Sequence, residues 1–221
     1  DQVGAALQGS HQVLVVDGSD EPLEGRLRTY DLPLQYVRVF PPSLTKQRNA
    51  GRRAVASEMT LVGYLDDDLE LEPDAIEVLM RYWEEKATDR LGGTSFNIVN
   101  APYRPPTWLY RLFGIESERQ GVILRSGYAT SVEAKDEATR SEWLCGGATV
   151  WRRDILEQFE YDEWFAGAAN YEDADLSYRA GRISELVVLR DARVDHNPPP
   201  LDPKKMKRYG FDHSQKRHKW I

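Results

Sequence analysis

Two acidic clusters stand out as groups that could do chemistry. Asp66, Asp67 and Asp68 leave an apolar run, TLVGYLDDDLELEPDAI over residues 60–76, while Glu172, Asp173 and Asp175 open a second segment, YEDADLSYRAG over residues 171–181. Alternate carboxylates in a short turn can share a hard divalent cation. Oxygen donors that leave open positions suit Mg²⁺ or Mn²⁺, with substrate phosphates completing the shell. The simpler alternative is that Asp68, Glu70, Glu72 and Asp74 only favour the positive end of the helix that follows. In the second cluster Asp175 and Arg179 are spaced i, i+4 and read as an intrahelical ion pair, whereas Glu172 and Asp173 have no such local cation. A metal-binding cluster and a separate carboxylate able to take a proton make a two-part site. Just upstream of the second cluster, Trp143-Leu144-Cys145-Gly146-Gly147-Ala148 places two glycines where backbone can approach a ligand closely.

Such groups need strands and helices that end at them. Leu61, Val62, Tyr64 and Leu65 read as a buried strand, and Pro73 opens a helix whose Ile76, Leu79, Met80 and Trp83 fall at i, i+3, i+4 and i+7. The first acids thus occupy a strand-to-helix connection, where open α/β sheets bind ligands. Residues 12–16 form a β-branched run into the turn Asp17-Gly18-Ser19-Asp20. Residues 34–40 give a second strand, broken by Pro41-Pro42-Ser43, and residues 45–59 a helix with Ala50, Ala54 and Val55 on one side. Further on, residues 91–99, 121–125, 148–151 and 183–189 read as strands and 171–180 as a helix. The alternation suits βαβ units, so the expected fold class is α/β, a mostly parallel central sheet flanked by helices. Residues 1–9 resemble the end of a helix, which leaves the first strand of a doubly wound sheet absent from this chain or supplied from elsewhere. Residues 101–142 are irregular, with Pro102, Pro105, Pro106 and a Trp108-Leu109-Tyr110-Arg111-Leu112-Phe113 patch. That patch either covers the sheet or belongs to a functional insertion.

Composition narrows the partners. A length of 221 residues fits one domain with a sizeable core. A net charge of -7 and a pI near 5.2 argue against a nucleic-acid partner. The acidity is uneven, since Lys204, Lys205, Lys207, Arg208, Lys216, Arg217 and Lys219 stand against Asp212 alone. This run is either a solvated helix end or a surface for an anionic partner or membrane. Cys145 is the only cysteine, so no intrachain disulfide forms and a reducing, cytoplasmic setting is expected. Its apolar neighbours suit packing better than nucleophilic work. No apolar run approaches the ~20 residues that span a bilayer, and no secretory signal opens the chain. The expectation is a soluble protein or a peripheral one, touching at most the inner face of a membrane.

Taken in order, VVDGSDEP (15–22), TKQRNAGRRAVA (45–56), GYLDDDLELEPDAI (63–76), WLCGGATVWRRDIL (143–156) and YEDADLSYRAG (171–181) resemble a family 2 glycosyltransferase with the GT-A fold. The resemblance runs from residue 12 to about 196. It implies inverting, metal-dependent transfer of a sugar from a nucleotide-diphosphate sugar to an acceptor hydroxyl, as in cell-surface polysaccharide biosynthesis. Mg²⁺ or Mn²⁺ would be the cofactor, and a glycan or lipid-linked molecule the acceptor. Residues 1–221 would form a single domain: a nucleotide-binding half (1–100), an acceptor-binding and catalytic half (101–196) and a basic tail (197–221).

By the same resemblance, Asp17 contacts the nucleoside base or ribose, and Lys46, Arg48 and Asn49 lie near the base and phosphates. Asp66 points to the ribose or the metal and Asp68 binds the metal. Gly146, Gly147 and Glu172 line the substrate, and Asp173 is the general base. His196 either completes the metal shell or is held by a backbone partner; His11, His213 and His218 carry no motif. Two other readings stay open. A metal-dependent nucleotidyltransferase would transfer a nucleotide without a glycosidic product. A non-catalytic nucleotide-sugar or glycan binding module would bind donor yet never release free nucleotide.

Overall fold

The computed structural model describes residues 11–30, 32–101, 106–165, 170–200 and 216. Among them the elements run β1 (Val13–Asp17), α1 (Glu24–Leu27), β2 (Leu34–Arg38), α2 (Leu44–Ala54), β3 (Leu61–Leu65), β4 (Leu69–Leu71), α3 (Ala75–Glu85), β5 (Leu91–Ile98), α4 (Trp108–Leu112), β6 (Ala138–Arg140), β7 (Ala148–Arg152), α5 (Arg153–Gln158), α6 (Glu172–Gly181) and β8 (Glu185–His196). The helical reading of residues 1–9 and nearly all of the basic run 204–219 fall outside the described residues. No helix among those described is long and apolar enough to cross a membrane.

The mixed α/β architecture is as expected, but the sheet is not mostly parallel. β1 and β2 form a separate parallel pair, while the larger sheet runs β3-β7-β5-β8-β4, with β6 also on β8. Only its β5–β8 ladder is parallel; β3–β7, β5–β7, β4–β8 and β6–β8 are antiparallel. A parallel neighbour needs a crossover of roughly a dozen residues. The turn at Asp66–Asp68 is too short for one, so β4 leaves β3 and reverses against the end of β8.

Side-chain alternation along β8 explains why both faces are covered. Val187 and Leu189 pack with Ile76, Leu79 and Phe96 on the α3 side; Leu186 and Val188 pack with Trp151, Ile155, Leu176 and Ala180 beneath α5 and α6. Several boundaries differ from the sequence reading. The helix expected over 45–59 stops at Ala54, where Val55 turns extended. The strand expected at 121–125 shrinks to a single bridge, Ile123 to Ala129, with the positive-φ glycines Gly121 before it and Gly127 in the turn it closes. The strand expected at 183–189 runs on to His196, and β4 was not foreseen.

Candidate active site

Two antiparallel registers bring the acids to their partners. Leu65 faces Ala148 across β3–β7, and the Asp66 N–H donates to the Gly147 carbonyl at 2.9 Å. Leu69 faces His196 across β4–β8, and the Asn197 N–H donates to the Asp68 carbonyl at 2.8 Å. The acidic turn is therefore pinned at both ends, with Asp67 exposed between them.

The inward stripe of α2 is polar. Thr45, Arg48 and Asn49, at i, i+3 and i+4, are all buried. Arg48, only 6% exposed, joins the two acidic clusters: its Nη2 donates to both Asp66 carboxylate oxygens at 3.2 Å and its Nη1 to Glu172 Oε1 at 2.8 Å. Its guanidinium also lies 5.2 Å from the Tyr161 ring centroid. A cation so buried persists only beside counter-charges. The bridge thus ties α2, β3 and α6 into one unit. Asn49 clamps the neighbouring loop, donating to the Tyr161 carbonyl at 2.9 Å and accepting the Tyr161 N–H at 3.0 Å.

These contacts bear on the residues expected at the nucleotide. Arg48 and Asn49 are engaged internally, whereas Lys46 is exposed near the start of the same helix. Asp17 accepts hydrogen bonds from the Ser19 N–H at 2.8 Å, the Leu23 N–H at 2.9 Å and the Tyr36 hydroxyl at 2.6 Å, with Arg38 Nη1 beside it as a counter-charge at 3.0 Å. Burial alone would raise its carboxyl. The Tyr36 hydroxyl and the Leu23 and Ser19 N–H groups outweigh that and hold it well below the usual carboxylate range.

Gly146 and Gly147 make room for the site's own side chains. A Cβ on Gly146 would stand 2.4 Å from Arg48 Nη1 and 3.0 Å from Asp173 Cβ; one on Gly147 would stand 2.1 Å from Asp66 Oδ2. Gly147→Ala should therefore push Asp66 off Arg48 and cost about 1–3 kcal/mol through overpacking. A lowered melting temperature would be the check; an unchanged one would contradict the packing.

Glu172 and Asp173 sit in the first turn of α6, entered through Tyr171 at φ 72°. Asp173, half-buried, accepts the N–H of Gly146 at 3.3 Å and of Ala174 at 2.7 Å. Burial first, then the Asp173 charge, push the Glu172 carboxyl up to about 7, against the opposing pull of Arg48. Burial likewise raises Asp173, opposed by Arg48 and by the Ala174 and Gly146 N–H groups. Neighbouring carboxylates of this kind titrate as a pair. Asp175 pairs with Arg179 at 2.6 Å, as its spacing indicates. Burial pushes the Cys145 thiol up to about 12, which fits packing and not a nucleophile.

Asp68 turns to the far end of the sheet. Its Oδ2 lies 3.3 Å from His196 Nε2, and its Oδ1 is buried without a hydrogen-bond partner among the described residues. Among the described residues, no group of three or more His, Cys, Asp or Glu is arranged to hold a metal ion. What the site offers is one hard carboxylate with an unsatisfied oxygen and one imidazole. That partial set fits Mg²⁺ or Mn²⁺ when other ligands come with the substrate. Asn100 fixes this corner: its side-chain oxygen accepts the His196 N–H at 2.9 Å and its Nδ2 donates to the His196 carbonyl at 3.0 Å. Sequence reasoning missed Asn100, because one Asn after a strand looks like any loop residue.

The sequence profile of Glycosyl transferase family 2 matches residues 9–158. No curated protein sequence matches the chain. Among solved structures, the mannosyltransferase PcManGT from Pyrobaculum calidifontis, in complex with GDP-Man and Mn²⁺, aligns at a TM-score of 0.59 and 14% identity, covering 94% of this chain and 55% of that one. GalNAc-T7 with UDP, GalNAc and Mn²⁺ aligns at 0.54 and 16% identity, covering 84% and 37%. S. aureus TarS, residues 1–349, aligns at 0.52 and 17% identity, covering 81% and 49%. The chain spans about half, or less, of the length of these structures. At such identities the likeness is one of fold, and that fold is GT-A. The profile match extends over more than half of the sequence, and the chain belongs to glycosyl transferase family 2.

Proposed function

We propose that the chain transfers a sugar from a nucleoside-diphosphate sugar to an acceptor hydroxyl, with inversion, using Mg²⁺ or Mn²⁺. The observation that carries this reading is the Arg48 bridge, which ties the acids ending β3 to those opening α6 with the Gly146-Gly147 backbone between them. Family membership supports the donor class, as do fold neighbours solved with UDP or GDP-Man and Mn²⁺.

Asp68 and His196 would hold the metal, with the unsatisfied Asp68 oxygen as first ligand. When bound, a divalent ion neutralises charge gathering on the departing diphosphate. Asp66, held by Arg48, faces the ribose side, and Lys46, exposed at the start of α2, is a cation for the phosphates. Asp17 keeps the turn after β1 in shape near the base. Asp173 accepts the acceptor's proton as the new C–O bond forms on the face opposite the leaving diphosphate, which inverts the anomeric carbon. Glu172 steadies Arg48 and thereby the setting of Asp173. The acceptor hydroxyl belongs to a glycan or a lipid-linked sugar.

Two further outcomes follow from this assignment. Asp68→Asn keeps the side chain's shape but removes its charge. Calorimetry should find donor binding strengthened by Mn²⁺ in the parent protein and indifferent to it in the variant; equal metal dependence in both would remove the role of Asp68. Secondly, kcat should rise with pH through neutrality, because the proton held by the Glu172–Asp173 pair must leave before Asp173 can accept another. Stability runs the other way. A carboxyl raised in the fold adds stability in acid that is lost as pH rises through about 7, so the melting temperature should fall across that window. A kcat profile whose acid limb lies in the ordinary carboxylate range would contradict the pairing.

Donor identity is open to a thermal-shift panel of UDP, GDP, dTDP and CDP sugars, each with Mn²⁺ and with chelator. One donor should raise the melting temperature only when metal is present. If none does, the proposal fails.

A further inference from the structure

Five of the six residues Trp108 to Phe113 present large apolar side chains to solvent: Trp108 (75% exposed), Leu109, Tyr110, Leu112 (72%) and Phe113 (65%). Trp108 and Leu112, like Leu109 and Phe113, are spaced i, i+4, so these four form one continuous face of α4 and the residue after it. A patch of this kind on a chain of net charge -7 calls for a partner.

The wedge is held in place. The Glu116 carboxylate accepts the Thr107 N–H at 2.7 Å, the Ile115 N–H donates to the Tyr110 carbonyl at 2.8 Å, and Ser126 bonds the Gly114 carbonyl. Its loop is fastened in turn to the segment leading from β6 into the active site. Trp143 Nε1 donates to the Thr130 carbonyl at 2.9 Å and the Glu142 N–H to the Gly121 carbonyl at 2.6 Å, a few residues before Gly146.

Directly behind the wedge lies an open cavity of about 420 Å³ whose lining includes Arg111, Arg119, Arg125, Glu116 and Glu118. Arg111 pairs with Glu118 at 2.6 Å, Arg119 reaches Glu142 at 3.6 Å, and Glu116 is engaged by the Thr107 backbone. Arg125 has no ion pair among the described residues. An exposed apolar wedge with a Trp and a Tyr, backed by a guanidinium in want of an anion, has the chemistry of a bilayer interface.

We propose that Trp108, Leu109, Leu112 and Phe113 insert into an anionic phospholipid bilayer, with the cavity at Arg125 and Arg119 receiving a lipid phosphate. Docking this way presents the segment bearing Gly146 to lipid-borne substrates. That consequence rests on the glycosyltransferase reading; the docking itself does not.

The test is co-sedimentation of the chain with vesicles of phosphatidylcholine alone and of phosphatidylcholine mixed with phosphatidylglycerol, at low and high salt. Binding should favour the anionic vesicles and weaken with salt. The triple variant Trp108→Ser, Leu112→Ser, Phe113→Ser should lose at least about tenfold in partitioning, and Arg125→Gln about fivefold on anionic vesicles only. Both should keep the parent melting temperature and the donor thermal shift, because every altered side chain is exposed. Equal binding to both lipids, undiminished binding of the triple variant, or no vesicle binding at all would overturn the proposal. So would a concentration-dependent dimer that the triple variant abolishes without any lipid effect. Loss of the donor shift in the parent protein, with vesicle binding intact, would instead overturn the enzymatic reading.

Discussion

Asp173→Asn is expected to lower kcat by roughly 10²- to 10⁴-fold while leaving donor affinity nearly unchanged. Asparagine keeps the shape, and its single oxygen can still accept one of the two N–H groups, of Gly146 and Ala174, that now bind the two carboxylate oxygens. It cannot take a proton from an incoming hydroxyl. Asp175→Asn, two residues on, provides the contrast. Its carboxylate is tied to Arg179 at 2.6 Å, so its loss should cost stability and spare turnover. Steady-state kinetics and thermal melts of the two variants separate these roles. Near-normal turnover of Asp173→Asn with saturating substrates would move the base to Glu172 or to the segment 101–142.

Arg48→Met should have the largest effect on the fold. The substitution leaves Glu172 buried without its cation and frees Asp66, and breaking a buried pair from one side costs about 3–5 kcal/mol. Part of that is recoverable by acid, since a protonated Glu172 no longer needs a counter-charge. The variant's melting temperature should therefore recover as pH falls, more steeply than that of the parent. Arg48→Lys keeps the charge but lacks the planar fork that reaches Asp66 and Glu172 together, so it should lie between. Chemical denaturation at neutral and acid pH measures both variants. Loss of donor binding by Arg48→Met without any loss of stability would point instead to direct contact between Arg48 and the phosphates.

Much of this was legible in the sequence where one residue type at one spacing has one meaning. The i, i+3, i+4, i+7 stripe of α3 and the Asp175–Arg179 pair emerged as read, and the apolar run into Asp66 forms its strand, although of the four residues expected to be buried in it only Val62 is and Leu65 is exposed. What escaped depends on partners distant in the chain. Arg48 and Asn49 were expected near the base and phosphates, yet with Thr45 they form a buried face of α2 because Asp66, Glu172 and the Tyr161 backbone come to meet it. Asp17 looks available for a base until Leu23, Tyr36 and Arg38 fold over it. The three residues of β4 are too few to show a period, although their register is what sets His196 beside Asp68. Strand direction escaped for a similar reason: alternation of strand and helix is compatible with either sense, and the antiparallel ladders join strands far apart in the chain.

The most direct test of the proposed chemistry is to incubate the chain with the donor selected by the thermal-shift panel and to follow its phosphorus and anomeric signals by NMR, with Mn²⁺-loaded and chelated samples quenched before recording. The account expects the glycosyl–phosphate bond to break, releasing intact nucleoside diphosphate and a product of inverted anomeric configuration. Release should require metal and nearly vanish in Asp173→Asn. Donor binding without any release, or cleavage between the two phosphates, would contradict it.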